Sequence, residues 1–151
     1  MSDYEKTVLV GAASETIVRA LTTTEGLSSW WTRATGSGES GGELRFWFDQ
    51  PSPCVIRVDE ASSSSVCWTV TSCDFLPDWV GTRPEFAIAL MPDGTTAIHF
   101  RHHGLTEQLE CIDMCTRGWD HFTASLAKYV ETGQGQPLGS PGDLARRAAD
   151  D

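Results

Sequence analysis

The chain has 151 residues and a mass of 16.5 kDa, the size of one ordinary domain. Apolar residues make up 40% and there are 14 glycines, a globular rather than a disordered composition. Acidic residues outnumber basic ones 21 to 11, and a formal charge of −10 repels phosphate backbones and anionic lipid, which argues against nucleic acid or a polybasic membrane contact.

The five cysteines, at positions 54, 67, 73, 111 and 115, are odd in number, unlike a secreted disulfide scaffold. The apolar run from Val8 to Ala13 is too short for a signal-peptide core, and no stretch approaches the ~20 apolar residues needed to span a bilayer. A cytoplasmic protein with reduced thiols is expected.

In chain order, residues 5–10 (EKTVLV) read as a first strand. Ser14 is the expected N-cap of a short helix whose Ile17, Ala20 and Leu21 share one face. A second short helix covers residues 24–31, and the following GSGESGG forbids regular structure. Strand-like runs come next at 43–49, 54–60, 65–71 and 84–91, then TTAIHFRHH after the Pro-Asp-Gly turn at 92–94. Alternation turns Leu44, Phe46 and Phe48 to one face, as it does Cys54, Ile56 and Val58. It groups Val66, Trp68 and Val70 likewise, then Phe86, Ile88 and Leu90, and finally Ile98, Phe100 and His102.

The last long element is a helix over 107–132, with Cys111, Cys115, Trp119, Phe122, Leu126 and Tyr129 in one apolar stripe and Gly133 at its C′ position. Residues 1–133 are read as the domain and 134–151 as a Pro/Gly-rich tail with at most one frayed helical turn. A meander with one apolar face and a helix with one apolar stripe combine most economically as an α+β fold. In it a curved antiparallel sheet grips the long C-terminal helix, with two short helices after the first strand. The space between the concave face and the helix suits an apolar ligand.

The phrases ALTTTEGLSSWW (20–31), VCWTV (66–70), PDWVGTRPEFAIAL (77–90), TTAIHFRHHGL (95–105) and RGWDHFTASLAKYVETGQGQP (117–137) resemble, in that order, the SRPBCC or START-like helix-grip superfamily. The branch they resemble is named after the activator of the heat-shock-protein-ninety ATPase. The resemblance spans about residues 5–137 and implies the helix-grip fold. It also implies one of several roles: hydrophobic ligand carriage, polyketide cyclase or aromatase chemistry, or a co-chaperone-like protein contact. It leaves a homodimer and a chaperone partner open.

Trp30, Phe46, Phe48, Trp68, Phe86, Ile88, Phe100, Trp119 and Phe122 are the expected apolar contacts of a small apolar or aromatic ligand. His102, the polar residue in phase with Ile98 and Phe100, is the expected anchor, set against the alternative of a solvated strand-end histidine. His99 and His103 fall on the other face. A zinc site from His102, His103, Cys111 and Cys115 is disfavoured, because adjacent strand residues point to opposite faces and the two cysteines share the apolar stripe. Arg45, Arg57 and Arg101, with Glu43, Asp49, Asp59 and Glu85, read as a solvated convex face. No nucleophile elbow, phosphate-binding glycine loop or zinc-protease motif is present, so no catalytic residue, metal or cofactor is assigned and a binding domain is favoured over an enzyme.

Overall fold

The computed structural model describes residues 2–150. Strand β1 (Tyr4–Val10) leads into helices α1 (Ser14–Thr22) and α2 (Thr24–Trp30). Strands β2 (Arg33–Gly36), β3 (Glu43–Trp47), β4 (Cys54–Ala61), β5 (Ser65–Ser72), β6 (Arg83–Leu90) and β7 (Thr96–His103) follow, with a 3₁₀ turn at Pro77–Trp79 before β6. Helix α3 (Ile112–Thr132) and helix α4 (Pro141–Asp150) complete the chain. The seven strands form one antiparallel sheet in the order β1-β7-β6-β5-β4-β3-β2. The expected α+β architecture is the observed one.

Alternation holds except at the end of β6, where Leu90, expected inward with Phe86 and Ile88, is 77% exposed. Leu44, Phe46, Ile56, Val58, Val66, Trp68, Val70, Phe86, Ile98, Phe100 and His102 are all buried on the side that faces the helices. Their out-of-phase neighbours carry charges paired across the outer face. Arg45 meets Glu43 at 2.6 Å, Arg57 meets Asp59 at 2.8 Å, and His103 meets Glu85 at 2.8 Å. Exposed pairs of this kind contribute little to stability but keep the face wet.

Four local expectations change. The residue before α1, Ala13, occupies the N-cap with no side-chain bond, so Ser14 is the first helical residue rather than the cap. The short strand β2 was hidden, because four residues with one buried side chain carry no readable alternation. Helix α3 starts at Ile112 with Cys111 at its N-cap, several residues later than the apolar stripe suggests.

Gly133, at φ 82, does end α3, but the residues beyond it are not a free tail. Gly135 passes so close to α2 that a Cβ there would lie 2.5 Å from the Ser29 carbonyl oxygen. The Leu138 N–H then donates to the Trp31 carbonyl at 2.7 Å, and α4 docks through the fully buried Asp143. That carboxylate accepts from the Gly139 N–H at 2.9 Å and pairs with Arg146 at 2.7 Å and Arg147 at 3.0 Å. Burial pushes the Asp143 pKa up, but these donors prevail and hold it below the ordinary carboxylate value.

Candidate functional site

Aromatic rings fill the middle of the concave face. Phe100 lies 4.3 Å from Trp119 and 4.8 Å from Phe86, centroid to centroid, and Trp68 lies 5.2 Å from Phe86. Trp31 joins them at 4.4 Å from Phe46 and 4.9 Å from Trp119. These tilted and edge-on contacts pack ring against ring between the sheet centre and α3.

The open volume lies to one end, where the tips of β3, β4 and β5 meet the 3₁₀ turn and the first half of α3. It is a cavity of about 620 Å³. Phe48 and Cys54 form its sheet side, Cys73, Phe75, Leu76 and Trp79 come from the segment after β5, and Cys115, Gly118, Trp119 and Phe122 from α3. Leu138, Arg146 and Arg147 close the remaining side from the segment read as a Pro/Gly-rich tail. Asp49, at φ 61, turns the chain after Phe48 and presents Gln50 to the rim. Gly118 leaves the helix surface bare here, and a Cβ added to it would meet no atom within 4 Å.

Of the expected ligand contacts, Phe48, Trp119 and Phe122 line this cavity. Trp30, Phe46, Trp68, Phe86, Ile88 and Phe100 do not, being core residues no more than 7% exposed. Trp30 is further tied down by its indole N–H, which donates to the Ala20 carbonyl at 2.8 Å. Three aromatics on the wall, Trp31, Phe75 and Trp79, were not among the expected contacts. The doubled Trp30-Trp31 at a helix end was the available signal, since successive helical residues turn by about 100° and two large rings cannot share one direction.

His102 is neither a solvated strand-end residue nor an anchor in the cavity. It is fully buried and both ring nitrogens are taken. Trp119 Nε1–H donates to His102 Nδ1 at 3.0 Å, which places the ring proton on Nε2, where it donates to Thr82 Oγ1 at 2.8 Å. Thr82 Oγ1–H in turn donates to the Trp79 carbonyl oxygen at 2.6 Å. Desolvation, partly offset by the nearby Asp3 charge, pushes the His102 pKa down to about 3, so the imidazole is neutral. The relay fixes Trp79 and Trp119, two walls of the cavity, at a set separation; their rings are parallel within 6° and 6.1 Å apart.

The cysteines are all free thiols. Cys54 donates toward Cys73; that bond and burial raise the first thiol, while the second is drawn down by the bond against the opposing effect of burial. Cys115 is pushed up to about 12, by burial first and then by its neighbour Cys111. Among the described residues no group of three or more His, Cys, Asp or Glu is arranged to hold a metal ion. No described helix is long and apolar enough to cross a membrane.

A curved antiparallel sheet closed on a long C-terminal helix, with two short helices after the first strand and a cavity at one end of the grip, defines the SRPBCC or START-like helix-grip fold. No protein-family model matches the chain, and no curated protein matches its sequence. Solved structures do match. The solution structure of the Aha1 dimer from Colwellia psychrerythraea superposes with a TM-score of 0.77 at 28% identity, over 89% of this chain and 100% of that one. DynU16, a putative protein in the dynemicin biosynthetic locus, matches with a TM-score of 0.70 at 18% identity over 89% of this chain and 49% of its own. CalU16 from Micromonospora echinospora matches with a TM-score of 0.69 at 14% identity, over 96% of this chain and 81% of its own. The chain therefore has the helix-grip fold in the form seen in that Aha1 structure.

Proposed function

We propose that the protein is a binding domain for a small, largely apolar ligand with a planar aromatic body, held in the cavity between the 3₁₀ turn, α3 and α4. The observation that carries this reading is the cavity itself. Its volume of about 620 Å³ falls among those of small-molecule sites, and Trp31, Phe48, Phe75, Trp79, Trp119 and Phe122 give it aromatic walls. Among the described residues, no carboxylate and no imidazole lines it. A proton-transfer reaction here would have to use the thiols of Cys54, Cys73 and Cys115, whereas binding needs only apolar burial at ~25 cal/mol per Å² and a few oriented polar contacts. This supports binding over a cyclase- or aromatase-like reaction. Similarity to an Aha1 dimer supports a homodimer as the form in which the cavity is presented.

A naphthyl fluorophore such as N-phenyl-1-naphthylamine, or its sulfonated counterpart, tests the proposal, with energy transfer from the wall tryptophans as the signal. At least one of the two should bind saturably with one site per chain. Gly118→Phe should abolish binding by filling the bare helix surface, while Ala87→Trp, on the exposed outer face, should leave it intact. Absence of saturable binding by both probes, or indifference to Gly118→Phe in a folded variant, would overturn the reading.

A further inference from the structure

Three thiols share the cavity wall: Cys54 at the start of β4, Cys73 just past the end of β5, and Cys115 on α3. The sheet register makes the first two neighbours. Val55 lies opposite Ser72, so the next step of the same antiparallel ladder sets Cys54 opposite Cys73. Residues opposed in this way have Cα atoms about 4.5–5.5 Å apart, inside the roughly 4.4–6.8 Å that a disulfide spans. Both are at most 2% exposed, so a reagent reaches them through the cavity rather than from bulk solvent. Their surroundings also make the two thiols unequal. The bond from Cys54 outweighs burial and, with the Leu76 backbone N–H, holds Cys73 below the ordinary thiol value, while Cys54 is raised and keeps its proton. Cys115 stands apart from the pair: it accepts the Trp79 indole N–H at 3.2 Å, and burial pushes it up to about 12, so it stays a thiol.

Resting on the ligand-binding reading above, we propose that the cavity admits an apolar organic hydroperoxide and that the Cys54–Cys73 pair reduces it to the alcohol, one molecule per reduced chain. The Cys73 thiolate attacks the terminal peroxide oxygen. An S–O bond forms, the O–O bond breaks, and the departing alkoxide takes up the proton that Cys73 released on ionising. Cys54 then attacks the sulfenic sulfur on Cys73. The S–S bond forms, the S–O bond breaks, and hydroxide leaves as water with the Cys54 proton, so that two electrons have passed from the thiols to the peroxide. The substrate class follows from the walls. Trp31, Phe75, Trp79 and Phe122 give an aromatic or alkyl body a place to be buried, a gain that hydrogen peroxide does not share.

The test treats the reduced full chain with cumene hydroperoxide and, separately, with hydrogen peroxide. Cumene hydroperoxide should take the thiol count from five to three, with the two lost thiols joined as Cys54–Cys73 in peptide mass spectrometry. Measured against a free cysteine derivative, the chain should favour cumene hydroperoxide over hydrogen peroxide by at least about tenfold, because only the former buries an apolar body. Cys73→Ser should abolish the reaction, Cys54→Ser should stop it at a Cys73 sulfenic acid that dimedone traps, and Gly118→Phe should erase the preference. A smaller preference, one that survives Gly118→Phe in a folded variant, or a disulfide between any other two cysteines would overturn the inference. Five thiols remaining while N-phenyl-1-naphthylamine binds saturably would also overturn it, and would leave the ligand-binding reading standing. Failure of both the naphthylamine and the hydroperoxide would bring down the two together.

Discussion

His102 offers the sharpest test of the packing described above, because burying an imidazole couples stability to pH. The unfolded chain takes up a proton at this residue near pH 6.5, whereas the folded protein resists until about pH 3. A depressed histidine contributes stability that is fully present above the unfolded pKa and is lost as pH falls toward the folded one. The interval from 6.5 to about 3 corresponds to about 5 kcal/mol at 1.36 kcal/mol per unit. Between pH 7 and about pH 4.5 the share lost is about 3 kcal/mol, a large fraction of a typical domain stability of ~5–15 kcal/mol. Carboxylates titrate in the same range, so the wild type alone does not isolate the effect. His102→Leu supplies the reference. At pH 7 it should be less stable than wild type by about 1–3 kcal/mol, since Leu leaves the Trp119 indole N–H without its acceptor. Its further loss on acidification should be smaller than the wild type's by about 3 kcal/mol, read from urea midpoints at both pH values. Equal losses in the two proteins would mean that the imidazole already titrates in the folded state, and the argument for a buried neutral relay would fail.

Gly118→Ala should raise stability by up to about 1 kcal/mol in thermal melts, because the site is a helix interior with open space for a methyl group; a drop would mean that the helix surface there is not bare. Trp119→Ala should cost about 3–5 kcal/mol by denaturant unfolding, since the ring is 2% exposed and its departure also strips His102 of a donor; a loss below about 1 kcal/mol would contradict its burial. Thiol titration of the unfolded, unreduced protein should count five, matching the five free cysteines, and three or fewer would show bridges that the fold does not contain. In the folded protein at about pH 8, Cys115, pushed up to about 12, should alkylate far more slowly than the half-buried Cys111, as followed by peptide mass spectrometry; similar rates would refute the burial of that thiol.

The strands were legible because period-two alternation is a strong signal wherever one face of a sheet is buried. Phe46, Trp68, Phe86 and Phe100 could be assigned inward from spacing alone. The cavity was not legible for a related reason. Alternation says which side chains point inward, but not where inward-pointing volume falls short of the space available. Six of the residues expected to touch ligand, Trp30, Phe46, Trp68, Phe86, Ile88 and Phe100, therefore lie in the core outside this cavity. His102 was correctly turned inward, yet its partners Trp119 and Thr82 lie 17 and 20 residues away, beyond any local pattern. Helix α4 escaped because LARRAADD has no apolar stripe of the usual kind. What docks it is a buried aspartate ringed by donors, a device that reads in sequence as ordinary surface charge.

The order of strands in the sheet has a consequence for how the molecule is made. β1 pairs with β7, so Tyr4 lies opposite His102 and Val8 opposite Ile98, although roughly ninety residues of chain separate them. Strands β3 to β7, by contrast, each pair with the strand just before them. During synthesis the meander can therefore zip up hairpin by hairpin as it emerges, while β1, made before the other six strands, waits longest for a partner. Closing so large a loop carries an entropy cost that only the finished meander can repay. Until then the segment TVLV stays in water beside Glu5 and Lys6, whose charges discourage pairing with another nascent chain. This seam closes the longest loop in the sheet, so a destabilised β1 edge is expected to show itself first as aggregation during translation rather than as a defect in the cavity.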